Sequence, residues 1–239
     1  MKSSTGAIFT VLATLFFAPV VCGEPSYSPY ANQAFPTKVY WGDTHVHTNL
    51  SIDSYISGNR KLGPNDAYRF ARGESVVMHN GIKARLERPL DFLVVADHAF
   101  AVGLLLKLEL SDPILLKTET GRSLHARFQR IKDSLFWTNE SDKDFVWDIW
   151  FGKHDVKEET FRQSVWDDVI SSAETFNDPG RFTTFIGYEW TSEQSPKSAN
   201  LKSNFHRVVI FKDGKDKAEQ VLPFTRNDGQ DPEDLWAYM

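Results

Sequence analysis

Four short stretches bring together the residue types that hold metal ions. They are Gly42-Asp-Thr-His45-Val-His47-Thr48, Val94-Val-Ala-Asp97-His98, Ile186-Gly-Tyr-Glu189-Trp190 and Asn204-Phe-His206-Arg-Val-Val209. Each sets an imidazole or a carboxylate at the edge of an apolar, strand-like run. Side chains alternate along a strand, so His45 and His47 point to one side of a sheet. Repeated across parallel strands, this pattern gathers histidines and acids at one end of a sheet or barrel, where metal-dependent hydrolases build their sites.

A lone His-x-His is more often a solvated edge or a hydrogen-bonded core pair. Here Asp97-His98 ends the apolar run from residue 90, a second and independent instance, and Glu189 ends a third run. Burying several such groups together without a cation is costly, because ionised groups lose hydration. A divalent metal resolves that cost. Imidazole nitrogens and carboxylate oxygens suit zinc, manganese or iron. Such a centre lowers the pKa of bound water and generates hydroxide near neutral pH. A carboxylate between two metals can bridge them at about 3.5–4 Å.

The elements that must position these residues alternate between strand and helix. Residues 38–47 read as a first strand, with a polar rim running on to Asp53 and Ser54. Pro64 opens a helix, with Asp66 in its first turn and Ala67, Phe70 and Ala71 inward. Residues 74–87 read as a hairpin around Asn80-Gly81. The run 90–96 reads as a strand buried on both faces. Residues 101–180 read as a helical insertion. Within it, Ser111-Asp112-Pro113 is a helix start, and Phe161, Val165, Val169 and Ala173 recur at helical spacing. After the turn Asn177-Asp-Pro-Gly180, strands are expected at 182–188 and 208–211. The pattern favours an α/β architecture. Asp231 and Pro232 open a last helix.

Residues 1–23 read as a signal peptide: Lys2 supplies the charge, residues 7–21 the short apolar segment, and Pro19 and Gly23 suit a cleavage site. Residues 24–37 read as an extended lead-in. A periplasmic or secreted location follows, and a lipoprotein anchor through Cys22 fits less well because Val21 precedes it. Cys22 is the single cysteine, so a metal must rest on His, Asp and Glu. The net charge of −5 and the lack of a basic run argue against nucleic-acid binding. No further apolar stretch suggests an integral membrane span. Only about four barrel-type strands can be found, where a closed α/β barrel needs roughly eight, so the chain reads as a C-terminally truncated fragment.

Together His45-Val-His47-Thr, Ala-Asp97-His98, Gly-Tyr-Glu189 and His206 resemble the PHP (polymerase and histidinol phosphatase) superfamily of metal-dependent phosphoesterases. Trp41-Gly-Asp-Thr-His-Val-His-Thr, Asn177-Asp-Pro-Gly-Arg-Phe-Thr and Phe185-Ile-Gly-Tyr-Glu-Trp-Thr resemble more closely the bacterial family DUF3604, over nearly all of the chain after the leader. The resemblance implies a distorted (β/α)7 TIM-like barrel, incomplete in this chain, with two or three divalent ions. It makes His45 and His47 ligands of one metal, Glu189 the bridging carboxylate, His206 a ligand of the second metal, and His98 and Asp53 ligands of a third. The superfamily's later motifs, a histidine on a middle strand and a terminal Asp-x-His, do not occur before Met239. The implied reaction is attack of metal-activated hydroxide on a phosphate ester.

Glu189 and Asp97 are the candidate catalytic acids. Asp43 and Asp97 precede ligand histidines and would orient an imidazole; a strand-end hydrogen bond to a backbone amide is the equal alternative. Arg60, Arg69 and Arg72 could meet a small anionic substrate, although a solvated helix face accounts for two of them. His79, His125 and His154 read as surface or packing residues. Trp137, Trp147, Trp150 and Trp166 read as a small core beneath the insertion, or as an aromatic substrate wall. Asn49-Leu-Ser51 and Asn139-Glu-Ser141 fit a glycosylation sequon. An amidohydrolase-like centre with the same metals, usually marked by a bridging lysine, and a non-catalytic metal-binding module are the competing readings.

Overall fold

The computed structural model describes residues 38–133, 140–150, 156, 158–192 and 205–239. The leader, the whole of the lead-in, Trp137, Asn139 and His154 lie outside the described residues. The chain divides between Val39 and Tyr40, and the second unit carries every element described below.

That unit runs β1 (Gly42–Val46), α1 (Ile52–Ile56), α2 (Pro64–Ala71), β2 (Val76–Val77), β3 (Lys83–Ala84), β4 (Phe92–Val95) and α3 (Leu104–Glu109). After a 3-10 turn (Leu115–Lys117) come α4 (Glu119–Ile131), α5 (Glu140–Trp150), α6 (Glu159–Phe176), β5 (Thr183–Phe185), β6 (Gly187–Thr191), β7 (His206–Ile210), α7 (Lys215–Ala218) and α8 (Pro232–Tyr238). It is a mixed α/β arrangement around a parallel sheet in the order β1-β4-β5. Among the described residues the strands do not close into a barrel.

The apolar run at 90–96 becomes the central strand, β4. Leu93, Val94 and Val95 are buried on both faces, each contributing roughly 1.5–3 kcal/mol. The expected strand at 182–188 is broken at Ile186 and carried on to Thr191 as β6. The break costs no register. Phe92 faces Thr183, Val94 faces Phe185, and an isolated parallel bridge sets His98 opposite Glu189. Gly187 lies at the break for a steric reason. A Cβ there would sit 2.7 Å from Val94 Cγ1 and 2.8 Å from the Val209 carbonyl.

The expectation that the ligand-bearing strands run parallel fails at β7, which pairs antiparallel with β6, Thr191 opposite His206. An antiparallel strand brings its first residue to the end where its neighbour finishes. His206 therefore reaches the site from the start of its strand. The first strand is also shorter than expected, since ordered pairing begins at Gly42.

Two apolar cores support these elements. One joins the sheet to α2, the C-terminal half of α6 and Leu235 of α8. The other lies between α1 and the insertion, formed by α1, α3, α4, α5 and the N-terminal half of α6. Phe161, Val165, Val169 and Ala173 are all buried along α6, as their spacing predicts. In α2 the fully buried ring is Tyr68, and Phe70 is only half-buried. Asp112 caps only the 3-10 turn, accepting from the Ile114 and Leu115 amides, and Thr118 caps α4. The hairpin forms as β2 and β3, with Gly81 at φ 82°. Trp166, on α6, belongs to the first core and donates to the Ala218 carbonyl, so it does not form part of the core beneath the insertion. No helix among the described residues is long and apolar enough to cross a membrane.

Candidate metal centre

Glu189 stands in the middle of β6, whose five residues are all buried. Its carboxylate has no exposure to water. The backbone fixes it closely: the Glu189 amide donates to the Asp97 carbonyl at 2.9 Å, and the Ala99 amide donates to the Glu189 carbonyl at 2.8 Å.

Four imidazoles surround that carboxylate. Oε1 lies 3.2 Å from His45 Nε2 and 2.8 Å from His206 Nδ1. Oε2 lies 3.0 Å from His47 Nε2 and 2.8 Å from His98 Nδ1. Both oxygens are buried, and no well-directed hydrogen bond reaches either one, so the close imidazoles themselves are what offsets the charge. Such an acceptor pair is costly to bury unless a cation meets it.

The rim of β1 delivers the first two imidazoles. Pairing with β4 slips by one residue between Asp43 and Val46. Asp43 Oδ1 accepts from the His45 amide at 2.9 Å, which holds the bulge. His45 and His47 then converge as alternation predicts, their Nε2 atoms 3.1 Å apart. Beyond them, Asp97 accepts from the Thr48 amide at 2.5 Å and the Thr48 hydroxyl at 2.7 Å. Asp43 and Asp97 thus both take the backbone-amide role.

Asp53, on α1, meets the other nitrogen of His47: Nδ1 is 2.9 Å from Oδ2 and 3.1 Å from Oδ1. The buried Ser51 hydroxyl donates to Asp53 Oδ1 at 2.5 Å. Asp53 Oδ2 is also 3.8 Å from His98 Nε2. On β6, the Thr191 hydroxyl lies 2.8 Å from His98 Nδ1 and 3.3 Å from His206 Nδ1.

The charges of these groups diverge. Burial would lower the pKa of His47, but Asp53 and Glu189 outweigh it and push it up to about 10. Burial would raise both acids, yet the imidazoles of His47 and His98 hold Glu189 well below the ordinary carboxylate range, and His47 and Ser51 do the same for Asp53. Burial dominates at His98, whose pKa falls. Burial also dominates at Asp97, raised to about 6 against the pull of Thr48.

Among the described residues, three sets of donors could each hold a cation: His45, His47 and Glu189; His98, Glu189 and His206; and His47, Asp53 and His98. Donors about 2.0–2.1 Å from one ion lie about 3 Å apart at right angles, close to the 2.8–3.2 Å seen around Glu189. One ring nitrogen serves one ion. The first two sets share only Glu189, so they can be filled together. The third draws on the opposite nitrogens, His47 Nδ1 and His98 Nε2.

Sequence reasoning missed several residues around these ligands. Phe100 packs on His98 with ring centres 5.0 Å apart; Trp150, one of the tryptophans the sequence offers as insertion core or substrate wall, packs on it too, at 5.7 Å. The buried Arg226 guanidinium lies 3.4 Å from the Phe100 ring centre. Arg226 sits in a polar loop with no helical or strand period, so nothing in its spacing marked it. Ser51 lies in the polar rim before α1 and Thr191 on β6 just past Glu189, and a lone hydroxyl carries no mark of a site in either place. The arginines expected to meet an anion do otherwise. Arg60 donates to the Lys132 carbonyl. Arg69 pairs with Asp66, and Arg72 stacks on Phe176. His79 is exposed, and His125 meets Ser111 and Gln129. Asn49 of the first sequon is buried.

Residues 34–239 match the family model described as "Protein of unknown function (DUF3604)". No curated protein and no solved structure matches the chain.

Proposed function

The chain belongs to the DUF3604 family, and we propose that its imidazole–carboxylate cluster is the metal centre of an exported, PHP-type metal-dependent hydrolase acting on phosphate esters. One observation carries this reading. Each oxygen of the fully buried Glu189 stands within 3.2 Å of two imidazole nitrogens, so four possible metal donors converge on one carboxylate. In this reading the parallel sheet belongs to a distorted (β/α)7 barrel, with α3 to α6 as its helical insertion.

His45, His47 and Glu189 would hold one divalent ion, and His98, Glu189 and His206 a second; His47, Asp53 and His98 offer a third place. Zinc, manganese and iron all suit these donors. When bound, such ions lower the pKa of a coordinated water and offset charge developing on the phosphoryl oxygens.

The chain's own residues supply the positioning. Glu189 ties the two donor sets together with one negative charge. Asp53 holds His47 in the tautomer that leaves Nε2 for an ion, and Ser51 holds Asp53. Asp97 anchors the turn after His47 through Thr48. Arg226, stacked on Phe100 beside His98, adds a fixed positive charge that favours a small anionic substrate. An amidohydrolase-like attack on a carbonyl usually goes with a bridging lysine. Here an acid occupies the central place, which favours the phosphate ester.

The test is hydrolysis of an aryl phosphate and an aryl acetate with added manganese, zinc or ferrous ion. It is run on this chain and on a version extended by whatever the reading frame encodes past codon 239. Chelator-reversible release from the phosphate by either form is expected. Cleavage of the acetate alone would favour the amidohydrolase-like reading. Two tightly held ions with neither activity would favour a non-catalytic metal-binding module.

A further inference from the structure

Thr191 follows Glu189 by two positions on β6, so both side chains leave the same face of the strand. Its side chain is buried against the cluster, with 1% of the residue exposed. Thr191 Oγ1 lies 2.8 Å from His98 Nδ1 and 3.3 Å from His206 Nδ1. These are the same two nitrogens that face Glu189, each at 2.8 Å.

A ring nitrogen carries either a proton or a lone pair. Once both Nδ1 lone pairs are turned to a cation, neither nitrogen can donate to the hydroxyl or accept its proton. The hydroxyl keeps two lone pairs of its own. It lies 2.8 Å and 3.3 Å from the two nitrogens, separations near the ~3 Å edge of a coordination shell.

Resting on the metal-centre reading, we propose that Thr191 Oγ1 is a fourth protein donor to the ion held by His98, Glu189 and His206. That ion then has two nitrogens and two oxygens from the protein. The ion at His45 and His47 has one protein oxygen among the described donors, from Glu189. The two places are chemically unequal, and the hydroxyl is what distinguishes them.

The experiment compares the wild-type chain with Thr191→Val, Thr191→Ala and Thr191→Ser. Manganese binding is followed by dialysis and by the electron paramagnetic resonance of the ion, and the fold of each metal-free variant by circular dichroism. The wild type is expected to hold two ions. Val and Ala should keep one ion and bind the second about 10–100-fold more weakly, with an altered resonance, while Ser retains both. Valine and alanine variants that fold and bind both ions with wild-type affinity would overturn the proposal. So would a serine variant as weak as valine, because shape rather than the hydroxyl would then be at work. A wild type that binds no ion would instead remove the metal centre itself.

Discussion

His98 and Glu189 face each other across a parallel bridge in the same register that sets Val94 opposite Phe185. Two proposed ligands from distant parts of the chain are thus placed by the sheet core rather than by a loop. Backbone pairing within the sheet places both residues, so little conformational entropy is left for an ion to remove on binding.

Gly187 is where that arrangement is most easily broken. Gly187→Ala would drive a methyl to 2.7 Å from Val94 Cγ1 and 2.8 Å from the Val209 carbonyl. The strands must part, at a cost of about 1–3 kcal/mol. A clearly lowered melting temperature is expected, together with weaker metal binding because Glu189 moves with β6. An unchanged melting temperature would show that the approach is looser than described.

Glu189→Gln keeps the size of the side chain and removes its charge. Both ions share this carboxylate in the proposed centre, so both should be lost, with affinity falling at least about 100-fold. The metal-free fold should persist, since no buried charge then needs compensation. Metal analysis after dialysis is the measurement, and retention of either ion at full affinity would contradict the shared role.

The pH dependence follows from His47. Its pKa in the metal-free protein is pushed up to about 10 by Asp53 and Glu189, against the effect of burial. At neutral pH an ion must displace that proton, so affinity should rise by up to about tenfold per pH unit below that point. Calorimetry in buffers of different ionisation heat should show about one proton released. The sign for stability is opposite. The folded pKa lies above the unfolded value of about 6.5, so this stabilisation is whole below about pH 6.5. It is lost as pH rises through about 10. A binding heat independent of buffer would exclude the coupled proton.

Asp97→Asn tests the anchor beneath His47. Asparagine cannot accept at both positions, so either the Thr48 amide or its hydroxyl loses its acceptor. A loss of about 1–3 kcal/mol in stability is expected. Metal affinity should weaken with no change in the number of ions. Losing an ion outright would make Asp97 a ligand rather than an anchor.

Strand and helix periodicity made much of this legible. The run through Leu93 and Val95 announced β4, and the spacing of Phe161, Val165 and Val169 announced α6. The four imidazoles and Glu189 were legible as one constellation because each borders an apolar run. The antiparallel course of β7 was not, since pairing direction leaves no mark in a short apolar run. The amide-accepting role of Asp97 was open, because a carboxylate before a histidine fits either role. Arg226 could not be found at all. Its relation to Phe100 exists only after the loop at 224–228 folds beside the insertion.

Anomalous diffraction from crystals soaked in manganese tests the central claim most directly. The account predicts two peaks flanking Glu189, about 3.5–4 Å apart, one beside His45 and His47 and one beside His98 and His206. A fully ordered Glu189 hydrogen-bonded to its imidazoles, with no anomalous density near either oxygen, would contradict it.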